Sequence, residues 1–167
     1  MTAGFPWAPN VLLLWRIDTK THAAAWDSGK GAELAGGRWN PKGFATVYAS
    51  VDPSTAVLEV AVHKGFDTLG RVPHVVSCAE IVDPAKVHVL DVNAIPNPSW
   101  LRPGAVSHAQ QQFGLNLLQT HPFLALPSAV LPLSWNLIFN PKLAAGQYRL
   151  RDQTPFVLDA RLHPPVP

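Results

Sequence analysis

Apolar and polar positions along the chain fall into short blocks that predict strands mixed with two principal helices. Val11 to Ile17 is apolar on both faces, follows Pro9-Asn10 and reads as a buried strand, with Arg16 set inside it. The alanine-rich piece from Lys20 to Lys30 predicts a brief helix ending at Gly29, followed by a glycine-rich loop to Gly37. Phe44 to Ser50 reads as a second strand. Asp52-Pro53-Ser54 is a helix start, an N-cap acid with proline in the first turn, and the helix runs to about Lys64 before Gly65 ends it. Pro73 to Val82 and Lys86 to Val92 read as strands around an Asp83-Pro84 turn, and a proline-rich connection covers Ile95 to Gly104. Ala105 to Thr120 suits a helix with Val106, Phe113, Leu117 and Leu118 inward, weakened by Gly114. Beyond it, Phe123 to Leu131, Leu137 to Phe139, Gln147 to Leu150 and Phe156 to Leu162 are strand-like pieces cut by prolines.

The 167 residues fit one domain, residues 1–167, with no repeat or linker. Charged residues make up 14% of the chain, well below the usual share of about 25%, so the expectation is a well-buried protein with a charge-poor surface suited to a partner. The net charge of +2, with no basic run, argues against nucleic-acid binding. The lone Cys78 excludes an internal disulfide and suggests an inert core thiol in a reducing compartment, with cytoplasm as the default. The apolar run from Val11 to Trp15 is far shorter than a bilayer requires, and no basic leader precedes it, so neither membrane insertion nor secretion is expected.

Against this apolar background a few polar residues stand out. Arg38 follows a Gly-Gly pair, Tyr48 sits within the apolar run Phe44 to Ala49, and Glu59 is the only polar residue between Ala56 and Val62. A carboxylate in such surroundings needs a partner or a task, because breaking a buried pair costs roughly 3 to 5 kcal/mol. Familiar catalytic patterns fail: Gly29-Lys30-Gly31 lacks the spacing of a phosphate-binding P-loop, and no serine sits in a nucleophile elbow. The seven histidines show no ligand pair, so no metal site is expected. A purely structural account remains open, in which Arg16 and Glu59 form an interior ion pair, Tyr48 finds one hydrogen bond and Ser128 closes a turn.

The chain resembles the RES-domain family, the toxins of one class of bacterial toxin–antitoxin pairs. The resemblance is carried by LLLWRI with Arg16, GGRWNPKG with Arg38, Asn40 and Gly43, and VYAS with Tyr48. It continues through AVLEV with Glu59, PSAVLP with Ser128, WNLIFNP with Asn136 and Asn140, and the closing TPFVLDARL. Two departures accompany it: KLAAGQYRL after Asn140-Pro141 lacks the histidine-containing continuation of many members, and Leu133-Ser134 replaces a more polar linker.

That resemblance implies an α/β (α+β) fold, an ADP-ribosyltransferase-like split and bent β-sheet core with flanking helices and a cleft for NAD. It implies cleavage of the nicotinamide–ribose bond by water or inorganic phosphate, with NAD as substrate and no resident cofactor. Glu59, Arg38 and Tyr48 are the expected catalytic residues, Glu59 as the anion facing an oxocarbenium-like ribose. Arg16, Gly37, Arg38, Asn40, Tyr48, Ser128 and Asn136 are the expected NAD contacts. The implied partner is a small helical antitoxin of the Xre type that plugs the cleft and forms an oligomer with the toxin. Two alternatives stand beside this: transfer of ADP-ribose to a protein side chain, and a non-enzymatic interaction protein.

Overall fold

The computed structural model describes residues 11–102, 104 and 106–162. The turn expected at Pro9-Asn10, the helix start set at Ala105 and His163 lie outside the described residues. Within them, β1 (Leu12–Thr19), β2 (Val47–Ser50), β3 (His74–Ile81), β4 (Val87–Val89), β5 (Phe123–Pro127), β6 (Trp135–Phe139) and β7 (Tyr148–Phe156) form one sheet. Its order is β4-β5-β6-β2-β1-β3-β7, antiparallel throughout except for the β4–β5 pair. The helices are α1 (Lys30–Ala35), α2 (Pro53–Lys64), α3 (Phe66–Arg71) and α4 (His108–Thr120). This is the mixed α/β class with flanking helices that the sequence led one to expect.

The sheet is divided at its centre. β1 pairs with β3 along its whole length, from Leu12↔Ile81 to Thr19↔His74, but meets β2 only at Trp15↔Ser50. Side chains alternate across the strands, so one face carries Leu14, Val47, Phe123, Leu137 and Phe139 in a continuous core. The opposite face has two separate cores. One lies under α4 and the loop at Trp39, with Leu124, Leu126, Ile138 and Leu118; the other lies under α2 and α3, with Ile17, Ala56, Ala61 and Leu69. Ser50 and Asn136 occupy that face between them.

Helix α2 follows its capping signals closely. Asp52 accepts from the Thr55 N–H at 2.9 Å, Pro53 occupies the first turn, and Gly65 ends the helix at φ 80°. Other elements depart from the sequence reading. Lys20–Ala25 is a 3-10 turn, and the helix lies further on, at Lys30–Ala35, in the stretch read as loop; Gly29 opens it from a left-handed conformation, with φ 67°. α3 follows Gly65 unanticipated. The second strand starts at Val47 rather than Phe44, β4 stops at Val89, and β5 stops at Pro127. β6 begins earlier than read, at Trp135. The first of the two pieces around Pro155 runs on through it as β7, to Phe156, because an edge strand with a single neighbour tolerates a residue without N–H. The piece read as a strand from Phe156 to Leu162 instead leaves the sheet after Phe156 and ends in a 3-10 turn at Ala160–Leu162. In α4 the buried positions are Gln110, Gly114 and Leu118, with Phe113 and Leu117 flanking and Val106 before the helix. Cys78 is buried as expected, and burial pushes its thiol up.

Candidate functional site

Glu59 projects from the second turn of α2 and is partly buried. Its Oε1 accepts the Ser128 hydroxyl at 2.7 Å and the Asn136 Nδ2 at 2.6 Å, while Oε2 accepts from no described residue. Ser128, fully buried just beyond β5, is held by the Val130 and Leu131 N–H groups that donate to its Oγ. Its hydroxyl hydrogen is thereby left for the carboxylate. Asn136 comes from β6, directly opposite Ser50 of β2, whose hydroxyl donates to Asn136 Oδ1 at 2.8 Å. Four elements thus converge on one carboxylate. The loop that carries Ser128 is fixed to α2 a second time: Ser134 and Thr55 both donate to Asp52 Oδ2, at 2.9 and 2.6 Å. Burial raises the Asp52 carboxyl, but hydrogen bonds from Thr55, Ser134 and Ser54 outweigh it and hold the group below its ordinary value.

Arg16 does not pair with Glu59. Its Nε and Nη2 donate to the two oxygens of Asp18 at 2.8 and 2.7 Å, and its Nη1 donates to the Tyr48 carbonyl at 2.7 Å. The interior Arg16–Glu59 ion pair is therefore corrected. α2 packs on the face of β1 that carries Trp15 and Ile17, whereas Arg16 shares its side of the strand with Asp18 and Leu14. Arg16 instead spans the seam where the β1–β2 ladder ends, supplying from a side chain the donor that the parted backbone lacks.

The loop from Gly36 to Phe44 is built around Asn40, which is fully buried. Its Nδ2 reaches the carbonyls of Ala32, Pro41 and Phe44 at 3.0 to 3.1 Å, and its Oδ1 accepts the Tyr48 hydroxyl at 2.7 Å. That hydroxyl in turn accepts the Trp39 N–H at 3.1 Å, so Tyr48 has two hydrogen bonds rather than one, and burial raises its pKa strongly. Asn40 was expected to touch a ligand; its amide is spent within the loop, and what it does is hold the loop's shape. Gly37 is required for the same reason, since a Cβ there would stand 2.4 Å from the Tyr48 hydroxyl. Gln111 of α4 donates to the Gly37 carbonyl at 2.8 Å. Arg38 extends from this loop and donates to the Trp100 carbonyl, and among the described residues it pairs with no carboxylate.

The structure thus gathers Glu59, Ser128 and Asn136 at one point and Gly37, Arg38 and Asn40 in one loop tied to Tyr48 of β2, with Arg16 linked to Tyr48 across the seam. Sequence reading missed Asp18, Ser50, Ser134 and Gln111. Of these only Asp18 carried a signal, being two residues from Arg16 on the same side of a strand. A cavity of about 400 Å³ lies at the start of α2, lined by Leu13, Trp15, Asp52, Leu133 and Trp135, and Glu59 stands about two turns along the same helix. No helix among the described residues is long and apolar enough to cross a membrane, and no cluster of three or more acidic, histidine or cysteine side chains among them offers a metal site.

The sequence shares this framework with known proteins. It is 33% identical over 132 residues to Toxin Res of Photorhabdus laumondii, covering 78% of this chain and 82% of that protein. It is 36% identical over 140 residues to the Prs ADP-ribosylating toxin of a Sphingobium species, covering 76% and 81% respectively. The M. tuberculosis MbcT–MbcA toxin–antitoxin complex contains a chain of similar fold, with a TM-score of 0.69 at 19% identity over 88% of this chain and 85% of that one. The model of the RES domain matches residues 13–159, nearly all of the folded framework from β1 to the end of β7, and the chain belongs to the RES domain family.

Proposed function

We propose that this protein is the toxin of a toxin–antitoxin pair and that it consumes NAD in the cytoplasm by cleaving the bond between nicotinamide and ribose. The observation that carries the reading is the Glu59 carboxylate, anchored through Oε1 alone with Oε2 left for a ligand. In the reaction the C–N bond breaks, its electron pair neutralises the pyridinium nitrogen, and positive charge develops on the ribose ring. Glu59 stabilises that charge without needing a proton, and either water adds to the ribose carbon and gives up a proton to solvent or a phosphate oxygen adds in its place. Arg38, with no carboxylate partner among the described residues, grips the pyrophosphate, and the part of Arg16's donor set not spent on Asp18 and Tyr48 adds a second contact. Tyr48 sets the wall of the site through its ring, since its hydroxyl is engaged. Membership of the family and the name Toxin Res of a relative support the toxin role, the similar toxin–antitoxin complex supports an antitoxin partner, and the partner in this reading is of the Xre type.

A second reading, transfer of ADP-ribose to a protein side chain, is favoured by the name of the Sphingobium relative. It uses the same carboxylate with a different acceptor. The test is to incubate antitoxin-free protein with NAD, with and without phosphate, and to follow free nicotinamide, the sugar product and any label left on protein. Free ADP-ribose or its phosphate derivative is the expected product, and labelled protein in its place selects the second reading. Glu59→Gln should fold normally and release nicotinamide on the order of 100-fold more slowly. No turnover by folded wild-type protein overturns both enzymatic readings.

A further inference from the structure

We infer that Ser50 is a positioning residue that acts through the Asn136 amide to hold the Glu59 carboxylate in its working orientation. The two ends of a carboxamide have nearly the same shape but opposite hydrogen-bonding character, so its direction is set by its neighbours. At Asn136 the neighbour on one side is an anion, which accepts only. That anion draws Nδ2, which donates to Glu59 Oε1 at 2.6 Å, and the Ser50 hydroxyl on the other side donates to Oδ1 at 2.8 Å and holds the amide at its far end. With the hydroxyl gone, Oδ1 is left without its donor, and rotation of the amide brings oxygen against oxygen at Glu59.

Three features make this more than an incidental contact. Ser50 and Asn136 are direct cross-strand partners on β2 and β6, so backbone register sets the spacing of their side chains. Ser50 is 2% and Asn136 9% exposed, which leaves little room for water to replace the missing donor. Ser50 is also the one residue of β2 in register with β1, through Trp15, so the hydroxyl sits where the two halves of the sheet meet, two residues from the Tyr48 carbonyl that Arg16 bridges.

The proposal rests on the reading of Glu59 as the charge-stabilising group, and its test has one arm independent of turnover. In ¹⁵N–¹H spectra the Asn136 side-chain amide should give a downfield, slowly exchanging proton in the wild type. That signature should vanish in Ser50→Ala and Glu59→Gln and persist in Ser50→Thr. In the nicotinamide-release assay Ser50→Ala should lower kcat roughly tenfold with little change in KM, Ser50→Thr should recover it, and Ser50→Ala should cost nothing further in an Asn136→Ala background. Ser50→Cys, a similar-sized weak donor, serves if the alanine variant does not fold. Unchanged Asn136 resonances in folded Ser50→Ala protein, or independent, additive effects of the Ser50 and Asn136 substitutions, would overturn the inference. An unreactive wild type with the expected spectral changes would sink the NAD reading and leave the relay standing.

Discussion

Asn40 shows how a polar residue can look like a ligand contact in sequence and be a structural knot in space. Its carboxamide joins α1, the following loop and Tyr48, and Gly37 is glycine because the Tyr48 hydroxyl passes where a Cβ would lie. Gly37→Ala should therefore cost roughly 1 to 3 kcal/mol in a denaturant titration, as overpacking does. Adding Tyr48→Phe removes the nearest of three colliding atoms and leaves Asn40 Oδ1 and Tyr48 Cζ at 2.8 Å, so the double variant should be partly relieved, less destabilised than the sum of the two single changes. Independent effects would show that the Tyr48 hydroxyl is not what excludes a side chain at position 37. At Glu59 the sequence revealed an anomaly, one acid in an apolar run, but not its partners. Those partners are Ser128 and Asn136, which the resemblance marked as contacts for a ligand and which the structure places on the carboxylate itself.

At the scale of elements, α4 shows local propensity overruled by packing. Gly114 counts against a helix by about 1 kcal/mol, yet α4 runs through it, because here the helix crosses the Trp39 backbone. A Cβ at Gly114 would stand 2.2 Å from the Trp39 carbonyl oxygen. Gly114→Ala, stabilising in an open helix, should instead destabilise this protein by roughly 1 to 3 kcal/mol, read from the unfolding midpoint. β4 offers a second test. His88 on that strand stacks on His121 at the end of α4, with ring centroids 4.2 Å apart, and burial followed by the neighbouring ring pulls His88 below its ordinary pKa of 6.5. The unfolded chain thus takes up a proton before the folded one does. The contribution is complete above about pH 6.5 and is lost as pH falls toward the folded value. Thermal unfolding of wild type should weaken over that interval more than that of His88→Gln, and parallel pH curves would refute it.

For the whole molecule the decisive feature is the seam. A sheet that pairs β1 with β2 at one position only parts into two half-sheets, each with its own helical cover. The polar group of Glu59, Ser128, Asn136 and Ser50 lies on the face that carries the two covers and belongs to neither apolar core. The sequence by itself determined the class of fold, the capped helix α2 from Asp52 to Gly65, the buried strands β1 and β3, and the anomalous residues Arg16, Arg38, Tyr48 and Glu59. Each of these is written in local signals: periodicity of side chains, N-cap and C-cap chemistry, and polar groups in apolar runs. Only the tertiary structure decided that Arg16 belongs to Asp18 and not to Glu59, that β7 runs unbroken through Pro155, and that a serine on β2 reaches a helix acid through an asparagine on β6. Those outcomes depend on strand order, register and which face each helix covers. Such relations join residues far apart in the chain, and no local pattern encodes them.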